Sequence, residues 1–398
     1  QLTGYWQYQN EKLDELGKKL LLGNFKDRAE RDDIYRQMTQ MGIDESVRVW
    51  VATVNSAYAL QPDVTGVTED VAAGPRGLMT TRAAYKPGSK ELTIGNLWVW
   101  TERSTWNPVG GFADAYSSDI ARNLSDPPLI NDPFTGIPGP FRATYQVESA
   151  GPGKTLKVPE DAFLWDSTSN SWKTVGSAAE AISKVTFDYS KYFSAKFHHG
   201  QPITMADLLY SIYQGYDLSY NPDKAKIETV LAVTGRPSLE TLNENYIAAY
   251  AAPSSVSTPW ELLYALDDLV FNQRRGAYSD SAAARYNVPW ISLVLDRDNS
   301  FVLRTIRQLQ QQKSFPTEVF TLPGANEPLV DADTAVARYQ ADLDWYDKYN
   351  NLMISNGPYF LAKYDPPAQF AELDALREAS YHFKAADLYK GKPQLIEF

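Results

Sequence analysis

The chain has 398 residues, no cysteine and a formal net charge of -11. The lack of thiols excludes disulfides, thiolate zinc sites, iron–sulfur clusters and cysteine nucleophiles. An acidic surface repels phosphate backbones, which argues against a nucleic-acid partner. Hydrophobic residues make up 43% and charged residues 22%, a globular balance, and no run approaches the ~18 consecutive apolar residues of a membrane-spanning helix.

From the N-terminus, Leu13, Leu16 and Leu20 share one helical face, and Gly23-Asn24 predicts a stop. Asp27 is placed to cap a second helix carrying Ile34, Tyr35 and Met38 and ending at Gly42. Val47, Val49 and Val51 alternate as a strand with Trp50 on the other face, so this strand is expected to need cover on both sides. Residues 61–90 hold Pro62, Gly66, Gly74-Pro75, Gly77 and Pro87-Gly88, and they read as loop. A strand is predicted at Glu91–Gly95. Residues 107–160 are rich in Pro and Gly and predict long irregular structure. Leu164 to Tyr189 reads as strands and turns, with Val185, Phe187 and Tyr189 on one face. Thr204 is an N-cap for a helix from Met205 to about Tyr216, with Asp207 at its third position. Leu242–Tyr250 reads as a strand, Trp260–Phe271 and Val302–Leu309 as helices, and Asp333–Tyr349 as an amphipathic helix. Strands around Tyr359 and at Leu395–Phe398 close a chain of the α/β class.

Signs of catalysis are missing. No Gly-x-Ser-x-Gly elbow occurs, and Gly151-Pro-Gly-Lys154-Thr155 lacks the spacing of a phosphate loop. The acidic pairs Asp331/Asp333 and Asp296/Asp298 read as surface carboxylates and a helix cap rather than a glycosidase dyad. His198 and His199 are adjacent, and strand neighbours point to opposite faces, so they are not expected to chelate one metal; His382 is isolated. The expectation is a non-enzyme with no metal and no cofactor. Asn123-Leu-Ser125 is a glycosylation acceptor triplet. Because the chain starts at Gln1 rather than Met, it reads as processed, truncated or a fragment.

Three segments carry a resemblance. Glu91-Leu-Thr-Ile-Gly95 with Trp106-Asn107-Pro108 is similar to an opening strand followed by a leucine-asparagine-proline turn. Val185-Thr-Phe-Asp-Tyr189 through Lys196-Phe-His-His-Gly-Gln-Pro-Ile-Thr-Met-Ala-Asp207 is similar to a strand–turn–helix signature, with His199 in place of the usual acidic residue. Ser355-Asn-Gly-Pro-Tyr359, Tyr381 and Gly391-Lys392-Pro393 resemble a third motif. Together they resemble the extracytoplasmic solute-binding proteins of oligopeptide, nickel and oligosaccharide ABC importers. That family has the periplasmic-binding-protein type 2 fold.

The resemblance implies a mixed sheet with flanking helices, with residues 91–398 as the large lobe and the second lobe missing. Residues 71–90 would be a linker. Residues 1–70 resemble the family's closing segment, here placed first, as in a permuted chain or one part of a longer or tandem precursor. The implied function is capture of an oligopeptide or oligosaccharide without catalysis, outside the cytoplasm, for an ABC importer permease. Trp98, Trp100 and Trp106 follow the opening strand, where the resemblance places the cleft, and they are the candidate ligand walls; Asn356 is a candidate ligand or turn residue. The alternative is a cell-surface structural or filament-forming protein that uses the same fold for self-association.

Overall fold

The computed structural model describes residues 9–21, 24–46, 51–52, 57–70, 72–97, 99, 106–112, 114–134, 136, 138–150, 154–177, 179–181, 183–228 and 255–377. Helices α1 (Glu11–Leu21) and α2 (Arg28–Asp44) form an antiparallel pair around Leu16, Phe25 and Ile34. This small cluster is separate from the main core. Asp27 caps α2 by accepting from the Glu30 N–H at 2.9 Å. The helix passes the predicted stop at Gly42 because an isolated glycine costs a helix only ~1 kcal/mol. Residues 47–50 of the predicted valine strand lie outside the described residues, and Val51 is exposed.

The stretch read as a loop and linker contains helix α3 (Leu78–Ala83). A buried ion pair docks it: Arg82 Nη1 lies 2.5 Å from Asp126, whose other oxygen receives Arg142 Nε at 2.8 Å. Residues 91–96 form no strand, and Ile94 and Leu97 are exposed. Their alternation finds no partner ladder among the described residues and so buries no face.

Helix α4 (Ala115–Ala121) starts at Asp114, which accepts from the N–H groups of Tyr116 and Ser117. Residues 129–140 make a small ladder of β1 (Leu129–Asn131) and β2 (Pro138–Pro140). From 144 to 188 the chain folds into one long nested hairpin. Strand β3 (Thr144–Ser149) pairs with β8 (Ser183–Asp188), β4 (Leu156–Lys157) with β7 (Glu180–Ala181), and β5 (Phe163–Asp166) with β6 (Ser171–Thr174). The predicted alternation holds in β8, where Val185 and Phe187 are half-buried and Thr186 and Asp188 exposed. At the hairpin tip Trp165 pairs with Trp172 edge-to-face, ring centroids 5.2 Å apart. Trp165 meets Tyr213 at 4.7 Å, and Trp172 Nε1 donates to the Val319 carbonyl. The tip thereby docks on the helical core.

After the short helix α5 (Ser190–Phe193) come α6 (Met205–Tyr220) and α7 (Pro222–Ile227). The helical layer continues with α8 (Trp260–Asp267), a π-helical turn at Asp268–Asn272, α9 (Asp280–Tyr286), α10 (Asp296–Gln312), α11 (Thr317–Phe320) and α12 (Ala332–Tyr349). Trp260, Tyr210, Phe320, Tyr339 and Val302 are fully buried where α6, α8, α10, α11 and α12 meet. A final hairpin, β9 (Tyr359–Asp365) with β10 (Phe370–Ala375), ends the described chain. The protein thus mixes helices with small sheets. Among the described residues every named ladder is two-stranded and antiparallel, so the expected larger mixed sheet does not form there. The predicted strands at Leu242–Tyr250 and Leu395–Phe398 lie outside the described residues.

Candidate functional site

Within residues 196–220 the turn and the capped helix form as their residues predict, while the strand-like run before the turn is reduced to an isolated bridge. Lys196 bridges Pro202 across a turn in which Gly200 adopts φ +90°, a conformation that favours glycine. Thr204 then caps α6 in a capping box with Asp207, whose Oδ2 accepts from the Thr204 N–H at 2.8 Å. Such reciprocal caps satisfy donors that a helix start leaves free.

Asp207 also enters a buried charge cluster. Its Oδ1 receives Arg338 Nη2 at 2.6 Å and the Trp260 N–H at 3.2 Å. Arg338 Nε donates to Glu261 Oε2 at 2.6 Å, and its Nη1 to the Pro202 carbonyl at 3.1 Å. His199 Nε2 lies 3.1 Å from Glu261 Oε1 and 3.6 Å from Asp342 Oδ1. All five side chains are 3% exposed or less. Burial, reinforced by the Glu261 charge, pushes the Asp342 carboxyl well above the usual range. The cluster joins the turn, α6, α8 and α12.

His198 has a different role. Its backbone N–H donates to the Ser355 carbonyl at 2.7 Å, and its Nδ1 accepts from the Ser355 N–H. With Nδ1 accepting, Nε2 must carry the proton that faces the Gly357 carbonyl at 3.2 Å. The ring stacks on Trp345, and burial pushes its pKa down to about 3. His198 therefore acts as a neutral clamp between two of the motif segments.

A cavity of about 240 Å³ opens further along α6, on the same side of the helix as Asp207. Pro108 and Val109 form one wall, and α6 supplies Ser211, Gln214, Gly215, Leu218 and Ser219. Ser255, Ser257, Thr258 and Leu263 complete it. No lining residue is ionisable. Ser219 is buried, and its Oγ has no hydrogen-bond partner. A larger, more open groove of about 660 Å³ beside Tyr346 carries Arg304 and Arg307 on α10.

The sequence-predicted residues fall in different places. Trp106 is wholly buried, packed edge-on to Phe112, so in this structure it is core rather than a cleft wall. Trp98, Trp100 and His382 lie outside the described residues. Asn356 is buried and ties together segments distant in the chain rather than its own turn: its Oδ1 accepts from the Asp126 N–H, and its Nδ2 donates to the Val256 carbonyl, both at 2.8 Å. Asn123 is buried, and its Nδ2, the atom a glycan would take, donates to the Asp119 carbonyl. Asp331 caps α12 as expected. Asn107, next to Trp106, spends all its amide capacity on structure. Its Nδ2 reaches the carbonyls of Tyr278 and Ile291, and its Oδ1 receives the N–H groups of Val109 and Gly110. Gly110 is required there, because a Cβ would lie 1.9 Å from the Tyr278 oxygen.

Sequence reasoning missed Glu261, Arg338 and Asp342. One signal was available: Arg338 and Asp342 lie one turn apart on the α12 face that also carries Ala335, Tyr339 and Leu343, where charge is out of place. Comparison with protein-family models finds no match, and neither does comparison with curated proteins.

Proposed function

We propose that the chain is a solute-binding protein with the large-lobe architecture of the periplasmic-binding-protein type 2 fold. It captures a segment of an oligopeptide or oligosaccharide outside the cytoplasm and delivers it to an ABC importer permease, without catalysis. The observation that carries this reading is the position of the cavity. It lies between the turn at Asn107-Pro108 and helix α6, two of the segments that carry the family resemblance. Its lining pairs hydroxyl and amide groups with Pro108, Val109, Leu218 and Leu263, the mixture that suits an uncharged polar ligand. Lacking a charged group in the wall, the site favours a sugar unit or the middle of a peptide over a free zwitterion.

A thermal-shift screen against peptides and oligosaccharides tests this. A ligand at 100 times its Kd stabilises by about 2.7 kcal/mol and raises the melting temperature by a few degrees. Gly215 has open space at its Cβ position, so Gly215→Trp fills the cavity and should abolish the shift. If no compound shifts the wild type, or if Gly215→Trp responds equally, the reading fails. A second reading, self-association at a cell surface, is favoured by the exposure of Ile43, Val51, Ile94 and Leu97. Native mass spectrometry separates the two, since open-ended oligomers at micromolar concentration would support assembly.

A further inference from the structure

We propose that His199, Glu261 and Asp342 form a buried structural site for a first-row divalent metal ion, with zinc the best chemical match. This inference is independent of the solute-binding reading. The three side chains come from the turn before α6, from α8 and from α12, and their donor atoms lie within 4.8 Å of one another. Zinc bonds of about 2.0–2.1 Å in tetrahedral geometry put neighbouring ligand atoms roughly 3.3 Å apart. The observed separations from His199 Nε2 are 3.1 Å to Glu261 and 3.6 Å to Asp342. One imidazole with two carboxylates is a donor set that suits zinc and its first-row neighbours.

The second observation is Asp342 itself. It is fully buried, and neither of its oxygens has a hydrogen-bond partner. A buried carboxylate in that state carries a large penalty. One of these oxygens serves as the third protein ligand beside His199 and Glu261, and the fourth tetrahedral position is left to a water molecule. Glu261 is already oriented for the task, because Arg338 holds its Oε2 and leaves Oε1 facing His199. Such outer partners fix ligands in place. The charges also balance. With a neutral imidazole, Arg338 alone opposes Asp207, Glu261 and Asp342, and a divalent ion cancels the remaining two negative charges.

Two features set how the ion enters. First, the Gln201 N–H approaches His199 Nδ1 at 3.4 Å, so without the ion the ring carries its proton on Nε2. Ligation through Nε2 moves that proton to Nδ1, so the ring or the Gln201 peptide must turn slightly. Second, the donors are shielded from solvent, so uptake occurs during folding or a local opening. Ligation also requires an ionised Asp342, so binding releases a proton and strengthens with pH.

Untagged protein should be unfolded with chelator, refolded with or without zinc, dialysed and analysed for bound metal by mass spectrometry. The expected result is about one zinc per chain in wild type, with a higher melting temperature than the zinc-free sample. Asp342→Asn and His199→Gln should each weaken zinc binding on the order of 100-fold or more and lose the thermal shift. Both variants are first checked for folding by circular dichroism without metal. If either fails to fold, the wild-type stoichiometry and its zinc-dependent melting shift decide alone. Wild type that retains no zinc, or no more than a folded variant, overturns the proposal and leaves Asp342 as a buried, protonated acid.

Discussion

Replacing Arg338 by methionine isolates the energetics of the buried cluster. Methionine keeps much of the aliphatic packing beside Phe197 and Trp260, over which the guanidinium sits at 5.7 and 5.6 Å. It deletes the 2.6 Å bonds to Asp207 and Glu261 and the bond to the Pro202 carbonyl. Removing one partner of a buried pair costs about 3–5 kcal/mol because a charge is left uncompensated. Here two carboxylates are stranded, but Asp207 keeps its contacts with Thr204 and Trp260, and Glu261 keeps His199. We therefore expect a loss of about 4–6 kcal/mol, a large share of a typical stability of about 5–15 kcal/mol. Urea unfolding followed by tryptophan fluorescence measures it, as a midpoint lowered by about 1–2 M at a slope of about 3 kcal/mol/M. The triple variant R338M/D207N/E261Q removes the stranded charges and should recover at least half of the loss. A single variant within about 1 kcal/mol of wild type, or a triple variant no better than the single one, would refute the reasoning.

His198 gives a pH dependence. Its pKa is lowered from 6.5 to about 3, first by burial, with the neighbouring His199 adding to the effect and the Gly357 carbonyl opposing it. The unfolded chain therefore binds the proton first, and this stability is intact above pH 6.5 and lost as pH falls toward 3, by up to about 1.4 kcal/mol per unit. Urea melts at pH 7, 6 and 5 should show a shallower loss for His198→Asn, and equal slopes would exclude the assignment. Asn356→Ala strands the Asp126 N–H and the Val256 carbonyl and should cost about 2–4 kcal/mol in a urea melt; a change below 1 kcal/mol would show that water replaces the amide. Gly110→Ala drives a methyl into the Tyr278 carbonyl and should lower the melting temperature by several degrees, whereas an unchanged melt would mean the turn can open.

Local chemistry made several elements legible in the sequence. Asp27, Thr204 and Asp331 announce the starts of α2, α6 and α12, because a cap acts within one helical turn. The alternation in β8 is equally local, since strand side chains repeat every two residues. Where the deciding partner was distant, reading failed. Glu91–Gly95 has a strand's composition but no ladder partner among the described residues. Trp106 looked like an exposed wall until Phe112 and Tyr364 closed over it. Arg82 in the apparent linker proved to be tied to Asp126, 44 residues away. The cluster of His199, Glu261, Arg338 and Asp342 spans more than a hundred residues of chain and follows no spacing rule. Only packing α6, α8 and α12 together makes neighbours of those charges. A sequence therefore determines where helices and hairpins begin, through interactions a few residues long. Which buried charges meet, and so what the site can hold, depends on the tertiary structure, because Coulomb forces act on distance in space and not on separation along the chain.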